Sequence, residues 1–238
     1  YALSADQVKK VYNTTSPTQP IDTSLVGHWT FDGPDIQGTT AIDRSGGGNN
    51  GTITGAVPTI GKLGQALSFN GSVDQVVDIL ASSSLNNVHT FTYSAWIKPD
   101  NTETVGNFAA PVLEKGFGST VIKSFDFDFG ASGSMSFYGT VVTNSTDAYS
   151  ESATAVIERN VWQHVVMTYD NAGDRKIRLY RNGSEASYGT QTAGAGTITS
   201  DSSYTISKKL FPIVPVSTRT LSAFSSCLYH PHTPQSFL

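Results

Sequence analysis

LVGHWTFDG, residues Leu25 to Gly33, decides the reading of this chain because it opens an ordered series of strand and turn segments. A short strand carrying Trp29 runs into an acidic turn at Asp32 and Gly33. Further along the chain, AIDRSGGGNNGTI (Ala41 to Ile53) supplies a loop rich in Asp, Ser and Gly that closes on Asn49, Asn50 and Gly51. GKLGQALSFNG (Gly61 to Gly71) then gives a second strand ending in the Asn70-Gly71 turn. Three more strands complete the series: FTYSAWIKP (Phe91 to Pro99), VWQHVVMTYD (Val161 to Asp170) and KIRLYRNG (Lys176 to Gly183).

Alternation of apolar and polar residues orients these strands, since successive side chains point to opposite faces. In SFDFDFG, Phe125, Phe127 and Phe129 share the core face while Asp126 and Asp128 take the other. Phe91, Tyr93, Ala95 and Ile97 oppose Thr92, Ser94, Trp96 and Lys98. Those two faces are less cleanly divided, which predicts a central strand partly covered on both sides. Asn182-Gly183 supplies the positive φ angles of a tight hairpin turn, and Asp170 to Asp174 forms another turn.

Composition agrees. Charged residues make up only 14% of the 238 residues and aromatics 11%, the balance of short strands joined by many turns in a single large β domain. A net charge of -4 with scattered Lys and Arg leaves no basic footprint for nucleic acid. No apolar stretch is long enough to span a bilayer as a helix. Cys227 stands alone, which excludes a disulfide within the chain and a cysteine-based metal site.

The ordered set of segments resembles the bacterial laminin-G-like jelly-roll domains of the concanavalin A-like lectin/glucanase superfamily, over roughly Thr23 to Ser207. The resemblance implies an all-β, two-sheet antiparallel jelly-roll sandwich with a short N-terminal helix. It also implies a binding module, not a catalyst.

Both ends depart from that domain. In YALSADQVKKVYN, Ser4 and Gln7 have capping-box spacing, and Val8, Val11 and Tyr12 share one helix face. The segment resembles the closing helix of the same family. Residues 1–13 are therefore expected to be the tail helix of a preceding similar domain with few contacts to the sandwich, the alternative being an ordinary N-terminal helix packed on it. Residues 14–22, rich in Thr, Ser and Pro, read as a linker, and 23–207 as the jelly-roll domain. Residues 208–238, with Pro212, Pro215, Pro231 and Pro234, are expected to form an irregular tail, truncated or out of frame, that leaves the sandwich without its closing strand. The chain opens on Tyr1 instead of Met, which leaves room for an export signal upstream.

Catalytic signatures do not appear. Retaining glucanases need two carboxylates flanking the scissile bond from one strand face, and the glutamates here are dispersed. Asp126 and Asp128 would project from one face about 7 Å apart given the strand rise, a spacing that suits either bracketing a sugar or the polar outer face of an amphipathic strand. No Gly-x-Ser-x-Gly elbow and no phosphate-binding loop occurs. His164 and His28 read as structural histidines, and Trp29, Trp96 and Trp162 as strand residues in packing roles.

Calcium is the cofactor the sequence suggests, in a structural role. The ion takes several hard oxygens, and the first loop offers Asp32, Asp43, Ser45, Asn49 and Asn50 beside glycines that let carbonyls turn inward. The resemblance implies a further carboxylate from the closing strand, which has no match in this chain. Asp43 and Asn50 equally suit Asx turns that shape the loop. For ligand contact the candidates are Phe117, Tyr138, Tyr149 and Tyr188, aromatics near turns able to stack on sugar rings, with Asp126 and Asp128 to meet hydroxyls.

These features point to a non-catalytic binding or adhesion module of a secreted or surface multidomain protein. Its partners would be a glycan or a cell-surface or extracellular protein, alongside neighbouring domains of the same chain. A structural spacer without a small-molecule ligand is the alternative, and a glycoside hydrolase a distant third.

Overall fold

In a computed structural model, residues 2–13, 25–69, 75–99, 109–117, 120–129, 135–153, 156–201, 205–209 and 221–229 are described. Residues 14–22, expected to be a linker, and the Asn70-Gly71 turn lie outside them. A nine-residue helix, α1 (Ala5–Asn13), precedes eighteen strands among the described residues. These are β1 (Leu25–Trp29), β2 (Ile36–Gln37), β3 (Thr40–Ala41), β4 (Gly51–Thr54), β5 (Val57–Ile60), β6 (Gln65–Phe69), β7 (Val76–Ile79), β8 (Phe91–Pro99) and β9 (Ala109–Phe117). They continue with β10 (Thr120–Phe129), β11 (Met135–Val141), β12 (Ala148–Ser152), β13 (Gln163–Tyr169), β14 (Ile177–Arg181), β15 (Ser184–Glu185), β16 (Tyr188–Thr192), β17 (Thr205–Lys209) and β18 (Leu221–Tyr229).

The strands form the two sheets of the expected antiparallel sandwich. An eight-stranded sheet runs β15-β14-β13-β8-β18-β6-β5, with β1 also paired to β18. A ten-stranded sheet runs β16-β12-β11-β10-β9-β17-β7-β4-β3-β2. The alternating residues meet between them. Phe91, Tyr93, Ala95 and Ile97 of β8 pack with Val165, Met167 and Tyr169 of β13, and with Phe125, Met135, Phe137 and Val141 of the opposite sheet. Asn182 and Gly183 take φ of 49° and 79° in the β14-β15 hairpin, the backbone their sequence requires.

The N-terminal helix is not loosely attached. Its capping box forms: the Ser4 amide donates to Gln7 Oε1 at 2.8 Å, and the Gln7 amide to Ser4 Oγ at 3.3 Å. Val8 is completely buried with Leu3 against Val166 and Tyr180 on the outer face of the eight-stranded sheet. The Leu3 amide donates to Thr92 Oγ1 at 2.9 Å, and the Tyr12 ring lies 5.8 Å from Trp96 and 6.1 Å from His164. Burying Val8 alone stabilises by about 1.5–2 kcal/mol. The apolar stripe explains why the expectation of few contacts fails: a short helix is marginal alone, and Val8, Val11 and Tyr12 find their partners on this sheet. The helix runs so close that a Cβ on Gly183 would stand 3.2 Å from Lys9 Cα.

The expectation of an irregular tail over residues 208–238 is corrected at 221–229; residues 210–220 and 230–238 lie outside the described ones. Leu221–Tyr229 forms β18, registered against β8 (Leu221 with Pro99, Cys227 with Ser94), β6 (Ala223 with Leu67) and β1 (His28 with Cys227). The eight-stranded sheet is therefore not missing a strand at that position. The prolines that argued against a strand, Pro212, Pro215, Pro231 and Pro234, flank LSAFSSCLY and leave its own amides free to join the ladder. A register shift between Ala223 and Ser226 absorbs its irregularity.

Candidate functional site

Strand register places several of the candidate ligand residues on the outer face of the ten-stranded sheet. In β11, Met135, Phe137 and Val141 point to the core, so Ser136, Tyr138 and Thr140 face outward. Asp126 of β10 is registered with Tyr138, and Tyr138 with Glu151 of β12. Residues directly opposite in this way have Cβ atoms about 5 Å apart, so Asp126, Tyr138 and Glu151 form one row across three strands. In the next row Glu114, Ser124, Thr140 and Tyr149 stand side by side.

Between the rows the Tyr138 and Tyr149 rings lie 5.8 Å apart at 38°, both half-buried. Glu151 holds Tyr149 in place: its carboxylate accepts from Tyr149 Oη at 3.0 Å and from Ser136 Oγ at 3.0 Å. Asp126 is 5% exposed, and burial pushes its carboxyl up to about 7. The Glu114 charge adds to that rise and the Ser124 hydrogen bond opposes it. The face thus offers two aromatic rings with their hydroxyls, a held carboxylate and a second carboxyl that titrates near neutrality.

The remaining candidates do not join it. Tyr188 packs against the core, accepts from the Leu179 amide at 3.0 Å and donates to Glu185 Oε1 at 2.8 Å, away from Tyr138 and Tyr149. Burial raises its hydroxyl pKa. The side chains of Phe117 and Asp128 lie outside the described residues.

The first loop is shaped by the residues proposed for calcium. Asp43 Oδ1 accepts from the amides of His28 and Ser45, both at 2.9 Å, and Oδ2 from Ser45 Oγ at 2.8 Å and the Asn49 amide at 2.9 Å. Asn50 Oδ1 accepts from the Asp43 amide at 2.9 Å, and Asn49 binds Val26 O, Ser82 Oγ and Ser84 Oγ. The Ser45 amide on Asp43 Oδ1 is the bond of an Asx turn; others tie the loop to β1 and to the loop before β8. Asp32 turns to the β5-β6 hairpin, where Oδ1 accepts from the Gln65 amide at 2.7 Å. Among the described residues, no group of three or more His, Cys, Asp or Glu side chains is arranged to hold a metal ion.

Two features escaped the sequence reading. Glu151 was readable, because AYSES alternates and sets Tyr149 and Glu151 on one face. The second is a buried cluster in which Lys123 pairs with Asp201 while Lys115 donates to Leu85 O at 2.6 Å and Asn86 Oδ1 at 3.0 Å, its Nζ 3.9 Å from Asp201. Burial lowers both lysines, Lys115 to about 8, against the pull of Asp201. A lysine in phase with the core-facing Phe125 or Leu113 was the signal. On the opposite sheet His164 is equally deep. Its Nε2 lies 2.7 Å from Ser94 Oγ, its Nδ1 finds no partner among the described residues, and burial lowers its pKa to about 4.

A laminin G family model, described as the concanavalin A-like lectin/glucanases superfamily, matches residues 70–209. The chain belongs to that superfamily. No curated protein matches it. Among solved structures it is similar to the binding domain of Paraclostridial Mosquitocidal Protein 1 (TM-score 0.64, 13% identity, 90% of this chain and 51% of that one). It is similar as well to the botulinum neurotoxin serotype D ligand binding domain in complex with N-acetylneuraminic acid (TM-score 0.65, 12% identity, 90% and 49%). The chain thus spans about half the length of these toxin domains. A third neighbour is domain 4 of AbnA, an extracellular arabinanase from Geobacillus stearothermophilus, in complex with arabinotriose (TM-score 0.52, 17% identity, 87% and 92%). At these identities the neighbours share the fold. No helix among the described residues is long and apolar enough to cross a membrane.

Proposed function

We propose that this superfamily member is a non-catalytic glycan-binding module of an extracellular or surface protein, and that it takes its ligand on the outer face of the ten-stranded sheet. The observation that carries this reading is the Tyr138-Tyr149 pair with Glu151 fixed beside it. Sugar rings present C–H faces that stack on aromatic side chains and rims of hydroxyls that seek acceptors. Here the rings and the carboxylate come from adjacent strands of a rigid sheet, so little ordering is required on binding. Two of the three neighbours named above are complexes with a sugar, which supports this reading over that of a spacer.

Isothermal titration of the protein with a panel of soluble oligosaccharides tests it. Binding to at least one member is expected, reduced about tenfold or more by Tyr138→Ala or Tyr149→Ala while the circular dichroism spectrum stays unchanged. Binding that both substitutions leave intact would move the site elsewhere, and no binding to any member would favour the spacer.

A further inference from the structure

The outer face of β9 to β12 and β16 is uneven in charge. Strands β9 to β12 and β16 contain only two basic residues, Lys115 and Lys123. Both are in phase with the core side of their strands and are committed to Asp201, Asn86 and Leu85 O. The next basic residues in the sheet, Lys208 and Lys209, are on β17, which pairs with β9 and is two strands from β10 and three from β11. The outward rows of β9, β10 and β12 instead hold Glu114, Asp126 and Glu151. Of the three, Glu151 is the half-buried one, beside the Tyr138-Tyr149 pair, and its charge acts at short range on whatever stacks there.

We infer that the glycan taken by this face carries no negative charge: the ligand is an uncharged oligosaccharide, and sialylated or other carboxylate-bearing chains are turned away. This rests on the glycan-binding reading above. A sugar carboxylate stacked beside Tyr138 would meet Glu151 in the same row, with no basic residue on the outward side of β9 to β12 or β16 to receive it. Like charges set against each other in an interface are a device for rejecting wrong partners. Uncharged hydroxyls, in contrast, can donate to Glu151, whose position is already fixed by Tyr149 and Ser136.

An immobilised array of matched pairs, each an uncharged oligosaccharide and its sialylated form, tests the charge rule on the full chain. The uncharged member of each bound pair is expected to be retained, its sialylated form at least about tenfold more weakly, with Glu151→Gln narrowing that gap. Sialylated members bound as well as their uncharged partners, with the signal lost in Tyr138→Ala, would overturn the charge rule and leave glycan binding standing. A gap that Glu151→Gln leaves unchanged would overturn its assignment to this face. Retention of no glycan of either kind would instead overturn the glycan-binding reading itself.

Discussion

The two outer faces of the sandwich are built from strands of similar alternation and end in opposite states. On the eight-stranded sheet every residue of β13 is buried, because α1 lays Val8 over Val166 and Tyr180 and sets Tyr12 beside Trp96 and His164. On the ten-stranded sheet β12 alternates between buried and half-buried residues, and the half-buried positions are Tyr149 and Glu151. The face under α1 buries Val166, Tyr180 and a neutral histidine together with Thr92, Ser94 and Thr168, whereas the other keeps Tyr138, Tyr149 and Glu151 half-buried beside the buried Glu114 and Asp126. The difference lies in what stands above each sheet, which strand periodicity alone does not report.

The largest effect is expected where the ten-stranded sheet turns its cations away from that outer face. Asp201→Ala leaves Lys115 and Lys123 buried without their carboxylate and should cost about 3–5 kcal/mol in urea unfolding. A loss below about 1 kcal/mol would mean that the lysines reach water.

Acidity should separate the two faces. Burial raises Asp126 to about 7, so the stability linked to it is fully present below the unfolded carboxyl pKa near 4 and is lost as pH rises towards 7, by about 4 kcal/mol. Burial lowers His164 to about 4, so its contribution is present above the unfolded value near 6.5 and is lost as pH falls towards 4, by about 3 kcal/mol. In the parent the two trends oppose and the profile between those values is shallow. Asp126→Asn should therefore lose stability on acidification and His164→Gln should gain it, as read from denaturation midpoints. Two variants with the parent's profile would refute both assignments.

For the first loop, Asp43→Ala removes the acceptor of four hydrogen bonds and should cost about 2 kcal/mol. Because those bonds come from the backbone of the loop and of β1 and from Ser45, the loss is expected to be equal in calcium and in chelator. A loss seen only in calcium would place the ion in this loop.

Much of this was legible in residues close together in sequence. The alternation around Phe125 and Asp126, the Ser4-Gln7 capping box and the Asn182-Gly183 turn all act over a few residues, and the structure contains each of them. What escaped depends on distant partners. Lys123 needs Asp201, 78 positions away, and Asn49 needs Ser82 and Ser84 from the loop before β8. The strand Leu221–Tyr229 was hidden by prolines that lie outside it. Tyr138, Tyr149 and Asp126 were named from their side-chain chemistry, yet their meeting in adjacent rows required the register of three strands, and the same reasoning misplaced Tyr188.

The smallest effect on stability and the most direct test fall on the same tyrosines. With tyrosine rings isotopically labelled and assigned, an uncharged oligosaccharide bound by the protein should shift the ring signals of Tyr138 and Tyr149 in solution NMR and leave those of Tyr12 and Tyr180, on the helix-covered face, in place. Shifts confined to Tyr12 and Tyr180, or unmoved Tyr138 and Tyr149 under saturating ligand, would contradict a binding face on the ten-stranded sheet.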